Sequence, residues 1–188
     1  MRKNSAGITV VELLLVISLF AFLLLMFDQQ GFASSREIKN INAVMSDIVS
    51  AIAMARMAAV NESRMVTFCR SNDGEHCQGK WHEGSIIFTD RNADRKINED
   101  DRLLFRLQAI EPEGELSFNS FRNRQYLQLT PRGITNYQNG NFTYCPVDGN
   151  PALARQVIVS FTGRTRYARD EDGDGIVENS QGKPLTCD

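Results

Sequence analysis

Apolar residues run almost unbroken along one early stretch of the chain and recur periodically along the next. From Ile8 to Phe27 the sequence reads ITVVELLLVISLFAFLLLMF, and Glu12 is its one charged residue. Twenty helical residues span about 30 Å, the thickness of a bilayer's hydrocarbon core. The stretch therefore predicts a membrane-spanning helix. Beyond Asp28 the pattern changes to Ile38, Ile41, Val44, Ile48, Ile52, Ala55 and Ala59, spaced by three or four. That is the apolar stripe of an amphipathic helix. No proline occurs from Ile8 to Glu62, so one helix of about 80 Å is expected, ending near Val60. Residues 8–27 would lie in lipid and residues 28–62 would be free to dock a sheet. Gly31 and Ser34-Ser35 weaken the junction, and Asn61-Glu62-Ser63 supplies a stop.

After Arg64 the period shortens to two. Short runs rich in β-branched and aromatic residues, separated by turn residues, predict strands near 65–69, 85–89, 102–108, 116–121, 126–129, 142–144, 157–161 and 165–168. Asn72-Asp73-Gly74, Pro131-Arg132-Gly133 and Asn139-Gly140 read as turns. Eight strands over residues 63–188, with a helix face to cover them, predict an α+β head with an antiparallel β-sheet or small sandwich packed on the helix.

Charge sets direction. Arg2 and Lys3 precede the apolar block, which places the N-terminus in the cytoplasm and the head in the periplasm or exterior. A secretory signal would have a shorter apolar core and a small-residue cleavage site, and only Ala33-Ser34-Ser35 offers one. Neither a cleaved signal nor a plain anchor accounts for Glu12. A carboxylate at the centre of a membrane helix costs about 2.5–3.5 kcal/mol on insertion scales, less near the interface. The free α-amino group of a neighbouring subunit would be a suitable partner. The remaining composition, 42% hydrophobic and 23% charged with a net charge of −2, excludes disorder and any global attraction to nucleic acid or anionic lipid.

Four cysteines, Cys69, Cys77, Cys145 and Cys187, form no CxxC pair, and there are two histidines, His76 and His82. A zinc centre is poorly supplied. In an exported head the even count points to two disulfides with three connectivities open, against four free thiols in a cytosolic protein. The favoured pairing is Cys69–Cys77, closing a short loop, with Cys145–Cys187, tying the tail to the body.

Two loops are candidate calcium sites. Asp90, Asn92, Asp94, Asn98 and Asp101 stand at positions 1, 3, 5, 9 and 12 of an EF-hand-like loop, but Arg95 replaces the required glycine. A turn between two strands is the competing reading. Asp170, Asp172 and Asp174 alternate before Gly175, with Gln181 where a bidentate Glu should be. Here the alternative is an exposed acidic loop paired with Arg164, Arg166 or Arg169. Arg155, Arg164, Arg166 and Arg169 with Tyr167 form a basic cluster able to bridge phosphates and stack on a base, although the adjacent acids oppose it. No nucleophile elbow, phosphate loop or HExxH motif occurs, so no enzymatic role or cofactor other than calcium is expected.

Gly7-Ile8-Thr9-Val10-Val11-Glu12, leading straight into the apolar block, resembles the class III prepilin signal. That resemblance implies a leader over residues 1–7, cut by a prepilin peptidase after Gly7, with N-methylation of Ile8 and an assembly role for Glu12. Ile8 departs from the usual phenylalanine but keeps its apolar character. Trp81-His82-Glu83-Gly84, the run from Ile86 to Asp94, Leu129-Thr130-Pro131-Arg132-Gly133 and Gly163-Arg164-Thr165-Arg166 are similar to the GspH/FimT family of minor pilins and pseudopilins. The family implies the pilin fold and a low-copy structural subunit that initiates or caps a type IV pilus. The alternative it implies is a subunit of the type II secretion pseudopilus. Implied partners are other minor and major pilins or pseudopilins and the inner-membrane assembly platform. Gly163-Arg164-Thr165-Arg166 further resembles the motif by which FimT-like members contact DNA in natural transformation, which makes Arg164, Arg166 and Arg169 candidate DNA-binding residues.

Overall fold

A computed structural model describes residues 9–110 and 114–187, with backbone alone for residues 24–37. Gly7 and Ile8, and with them the expected cleavage and methylation, lie outside the described residues. Two compact units divide between Lys39 and Asn40.

The first unit is helical. α1 runs Val10–Glu62, and its hydrogen bonding continues through Gly31 and Ser34-Ser35. Thr9 starts it: its Oγ1 accepts the Glu12 N–H at 3.3 Å and its carbonyl accepts the Leu13 N–H at 3.1 Å. A threonine hydroxyl satisfies an otherwise orphaned amide at this position, and Thr-x-x-Glu is the spacing of a capping box. From Val10 to Leu23 the large apolar side chains are exposed on every side of the helix.

The second unit holds the rest of α1 and all eight strands. Ile41, Val44, Met45, Ile48, Ala51, Ile52, Ala55 and Ala59 are buried, whereas Ile38, the expected first member of the stripe, is exposed. By length and composition Ile38–Glu62 would pass for a membrane span. Its stripe is instead the core of the head, whereas Val10–Leu23 is apolar and uncovered. Ser63 ends the helix in the left-handed region at φ 50°, and the Arg64 N–H closes on the Ala59 carbonyl. The helix ends at Glu62.

The strands are β1 Val66–Arg70, β2 Ser85–Thr89, β3 Leu103–Leu107, β4 Gly114–Ser120, β5 Tyr126–Leu129, β6 Gly140–Pro146, β7 Arg155–Val159 and β8 Thr165–Tyr167. They form two four-stranded antiparallel sheets in the orders β3-β2-β1-β5 and β4-β6-β7-β8. All eight expected strands exist. Phe121 and Phe161, expected inside strands, lie outside them and are about half exposed. Asn139-Gly140 is not a turn. Gly140 opens β6, and a Cβ there would come within 2.0 Å of the Asn119 carbonyl. Its glycine serves a close approach of two strands rather than a reversal.

Three apolar clusters follow from side-chain alternation. The largest joins the α1 stripe to both sheets and contains Phe68, Trp81, Phe118 and Phe142, with ring centroids 4.3–5.9 Å apart. Strand residues one step out of phase point the other way. Cys69, Ile86 and Phe88 therefore form a second cluster with Cys77, behind the Cys69–Cys77 disulfide. A third gathers Ala154, Val177 and Leu185 with Cys145 and Cys187, which are bonded to each other. Both disulfides are the favoured pairing.

Candidate functional sites

The residues singled out by the sequence lie in several separate places. Glu12 sits in the first turn of α1, exposed among exposed apolar neighbours.

The arginines cluster around one hairpin. β7 and β8 are joined by a turn in which the Gly163 N–H donates to the Ser160 carbonyl at 2.9 Å. Arg164 leaves that turn and Arg166 pairs with Ile158 inside β8, the edge strand of its sheet. Both are exposed, as is Arg169. Arg155 is committed elsewhere, donating to the carbonyls of Ala152 and Ala154. Among the described residues no ion pair joins Arg164, Arg166 or Arg169 to the acids that follow. The expected neutralisation of the loop by these arginines is thus not made; their guanidiniums sit in solvent instead.

The glycine of this motif has a packing task. Gly163 has φ +70°, and a Cβ on it would lie 2.6 Å from the Gly133 carbonyl and 3.3 Å from Arg56 Cδ. Arg56 Nε donates to that same carbonyl at 2.9 Å, and the Thr135 N–H donates to the Phe161 carbonyl at 2.9 Å. Two turns far apart in sequence thus meet over one arginine of α1. Gly163→Ala is expected to destabilise the head by about 2–3 kcal/mol through a strained φ and a backbone clash, read as a lower urea midpoint at unchanged slope.

The first acidic loop proves structural. Asp90 is fully buried. It accepts the Asp94 and Arg95 amides, the Thr67 hydroxyl at 2.5 Å and the Gln128 amide at 3.1 Å. Asp94 accepts Asn98 Nδ2 and the Lys96 N–H, which with a further bond from Asn92 lower its pKa. Asp101 accepts the Arg91 and Asn98 amides. Arg95 takes the positive φ meant for glycine, at 65°. Protein donors reach each of these carboxylates, so the connection is a self-contained turn built on Asp90.

The second acidic loop differs. One carboxylate oxygen from each of Asp170, Asp172, Asp174 and Glu178 lies within 4.8 Å of the other three. Glu178 was not anticipated, although it stands at position 9 counted from Asp170 and could have been found by that count.

The histidines carry no catalytic geometry with a thiol, because Cys77 is bonded to Cys69. His76 Nδ1 lies 2.8 Å from Asp73 Oδ2. Asp73 also accepts the Glu75 and His76 amides, and these, the Glu75 amide first, hold its carboxyl well below the usual carboxylate range.

The model of the family described as type II transport protein GspH matches residues 45–163. This chain belongs to the GspH family. The matched region covers α1 from Met45 and the sheets as far as Gly163; Arg164, Arg166, Arg169 and the second acidic loop lie beyond. Two crystal forms of the type IV minor pilin FimU from Pseudomonas aeruginosa are similar in structure. One aligns with a TM-score of 0.51 at 19% identity, covering 82% of this chain and 94% of that one. The other aligns with a TM-score of 0.49 at 17% identity, covering 82% and 99%. No curated protein matches significantly. Membership of this family of minor pilins and pseudopilins makes the chain a structural filament-type subunit, with one apolar N-terminal helix suited to single-pass membrane anchoring.

Proposed function

We propose that the chain is a minor pilin that helps initiate or cap a type IV pilus, acting structurally and not catalytically. The supporting observation is how the helix is used. The α1 stripe from Ile41 to Ala59 is spent on the head, while the apolar residues from Val10 to Leu23 are exposed all round a helix that carries Glu12 in its first turn. Such a surface suits lipid before assembly and packing among sister helices after it. On this reading prepilin peptidase cuts after Gly7, Ile8 is methylated, and the Glu12 carboxylate meets the terminal amine of a neighbouring pilin. The head is periplasmic at first and reaches the cell surface with the filament.

The rival is a minor pseudopilin of type II secretion, the system in the family's description. Gene deletion separates them. Loss of surface pili and twitching with secretion intact supports the proposal; normal pili with failed secretion replaces it by the rival.

The open hairpin edge favours a second reading, DNA contact, because Arg164 and Arg166 are exposed and unpaired two residues apart. Binding of duplex DNA at low salt is expected to weaken in the Arg164→Ala/Arg166→Ala variant, with a salt slope shallower by about 2. Equal mobility of both proteins in gel shifts rejects it.

A further inference from the structure

We propose that the loop from Asp170 to Glu178 is a calcium site, with Asp170, Asp172, Asp174 and Glu178 as its carboxylate ligands. Two ligands of one calcium ion, each about 2.3–2.6 Å from it, are at most about 5.2 Å apart. The four oxygens, all within 4.8 Å of one another, meet that limit.

Glu178 supplies the independent observation. It is 7% exposed, the one buried member of the group. Its Oε2 accepts the Glu171 N–H at 2.7 Å, but its Oε1 is buried with no hydrogen-bond partner. A buried carboxylate oxygen with no donor, on a side chain grouped with three aspartates that no arginine pairs, is unfavourable until a cation is added. The contrast with Asp90 is direct: there the protein supplies four donors, and here it leaves a buried lone pair unmet.

The loop's own amides also hold its carboxylates in place. Asp170 accepts the Gly173 and Gly175 amides at 2.6 and 2.9 Å, and Asp174 accepts the Ile176 N–H at 2.8 Å. These bonds fix the side chains; each Asp170 oxygen accepts one amide and keeps a second lone pair for a cation. Gly173 and Gly175 have φ +82° and +90° with open space around them, so the backbone turns without a side chain covering the site. The donor set is all oxygen and all anionic, which selects a hard divalent ion over zinc or copper. Counted from Asp170, the carboxylates fall at positions 1, 3, 5 and 9, with glycine at 6. Gln181, at position 12, is a neutral amide where the tightest sites carry a bidentate Glu. Affinity is therefore expected in the range of about 10⁻⁴–10⁻³ M found in extracellular calcium modules.

Binding would tie β8 to the tail. The Glu178 N–H donates to the Arg169 carbonyl at 3.1 Å, and the Leu185 N–H to the Val177 carbonyl at 2.9 Å. The ion would thus brace the same tail segment that the Cys145–Cys187 disulfide holds.

The test uses the full chain in detergent, stripped of metal with EGTA and titrated calorimetrically with calcium chloride. One ion per chain is expected, with slower hydrogen exchange across residues 170–178. Asp172→Asn and Glu178→Gln should each weaken binding tenfold or more. Asp172 is exposed, so its variant should melt with the wild type in EGTA, and it decides the matter alone if Glu178→Gln fails to fold. Absence of heat and of any exchange protection up to about 10 mM calcium would overturn the site. So would undiminished binding by Asp172→Asn, and displacement of calcium by equimolar magnesium would overturn the choice of ion.

Discussion

Phe142→Ala is expected to destabilise the head by about 4 kcal/mol, among the costliest single truncations in it. Phe142 is fully buried in β6, which is paired on both sides. Its ring stacks on Phe118 at 4.3 Å and meets Trp81 edge-on at 4.9 Å and Phe68 at 5.9 Å. Phe68 belongs to the first sheet and Phe118 to the second, so the ring bridges both. Truncation removes apolar area, leaves a cavity between elements that cannot close on it, and loses ring pairing of about 0.5–1.5 kcal/mol per partner. Urea unfolding would show it as a lowered midpoint. Phe121→Ala is the control: that ring is 59% exposed, and its loss should stay within about 0.5 kcal/mol. Equal effects from the two would mean that the cluster is not the centre of the head.

Glu12→Leu is expected to abolish incorporation into filaments while leaving membrane insertion intact or improved. Removing a carboxylate from an apolar helix favours lipid, so any defect cannot be blamed on failed insertion. The capping geometry at Thr9 offers a competing explanation, since Glu12 stands at the third helical position where its side chain can support the helix start. Glu12→Gln separates the two. Glutamine serves a capping box as well as glutamate does but cannot pair with an ammonium group as an anion. Assembly lost in both variants supports pairing with a neighbour's terminus; assembly kept in Glu12→Gln assigns the residue to the cap. Membrane fractions and sheared filaments probed for the head would give both readings.

Much of this molecule is legible in its sequence because its main signals are periodic. The Ile41–Ala59 stripe, the eight strands and both disulfides follow from spacing, alternation and compartment. What escaped has a common physical cause: it depends on partners far apart in the chain. Asn139-Gly140 looks like a turn until Asn119 is brought against it. Gly163 looks like part of a basic motif until Gly133 and Arg56 close on it. Asp90 counts as a metal ligand until Thr67 and Gln128 arrive as donors. Glu178 lies within reach of a positional count, but its burial, which sets it apart from its exposed acidic neighbours, comes from the tail folding back through Val177 and Leu185.

The three apolar clusters share out the work of holding the head unevenly. The large one contains no cysteine and rests on shape alone, whereas each small one sits behind a covalent clasp. Redox chemistry therefore governs the margins and not the middle. In a reducing compartment the two flanks would loosen while the helix kept its seat, and oxidation after export would fasten edges around a centre already in place.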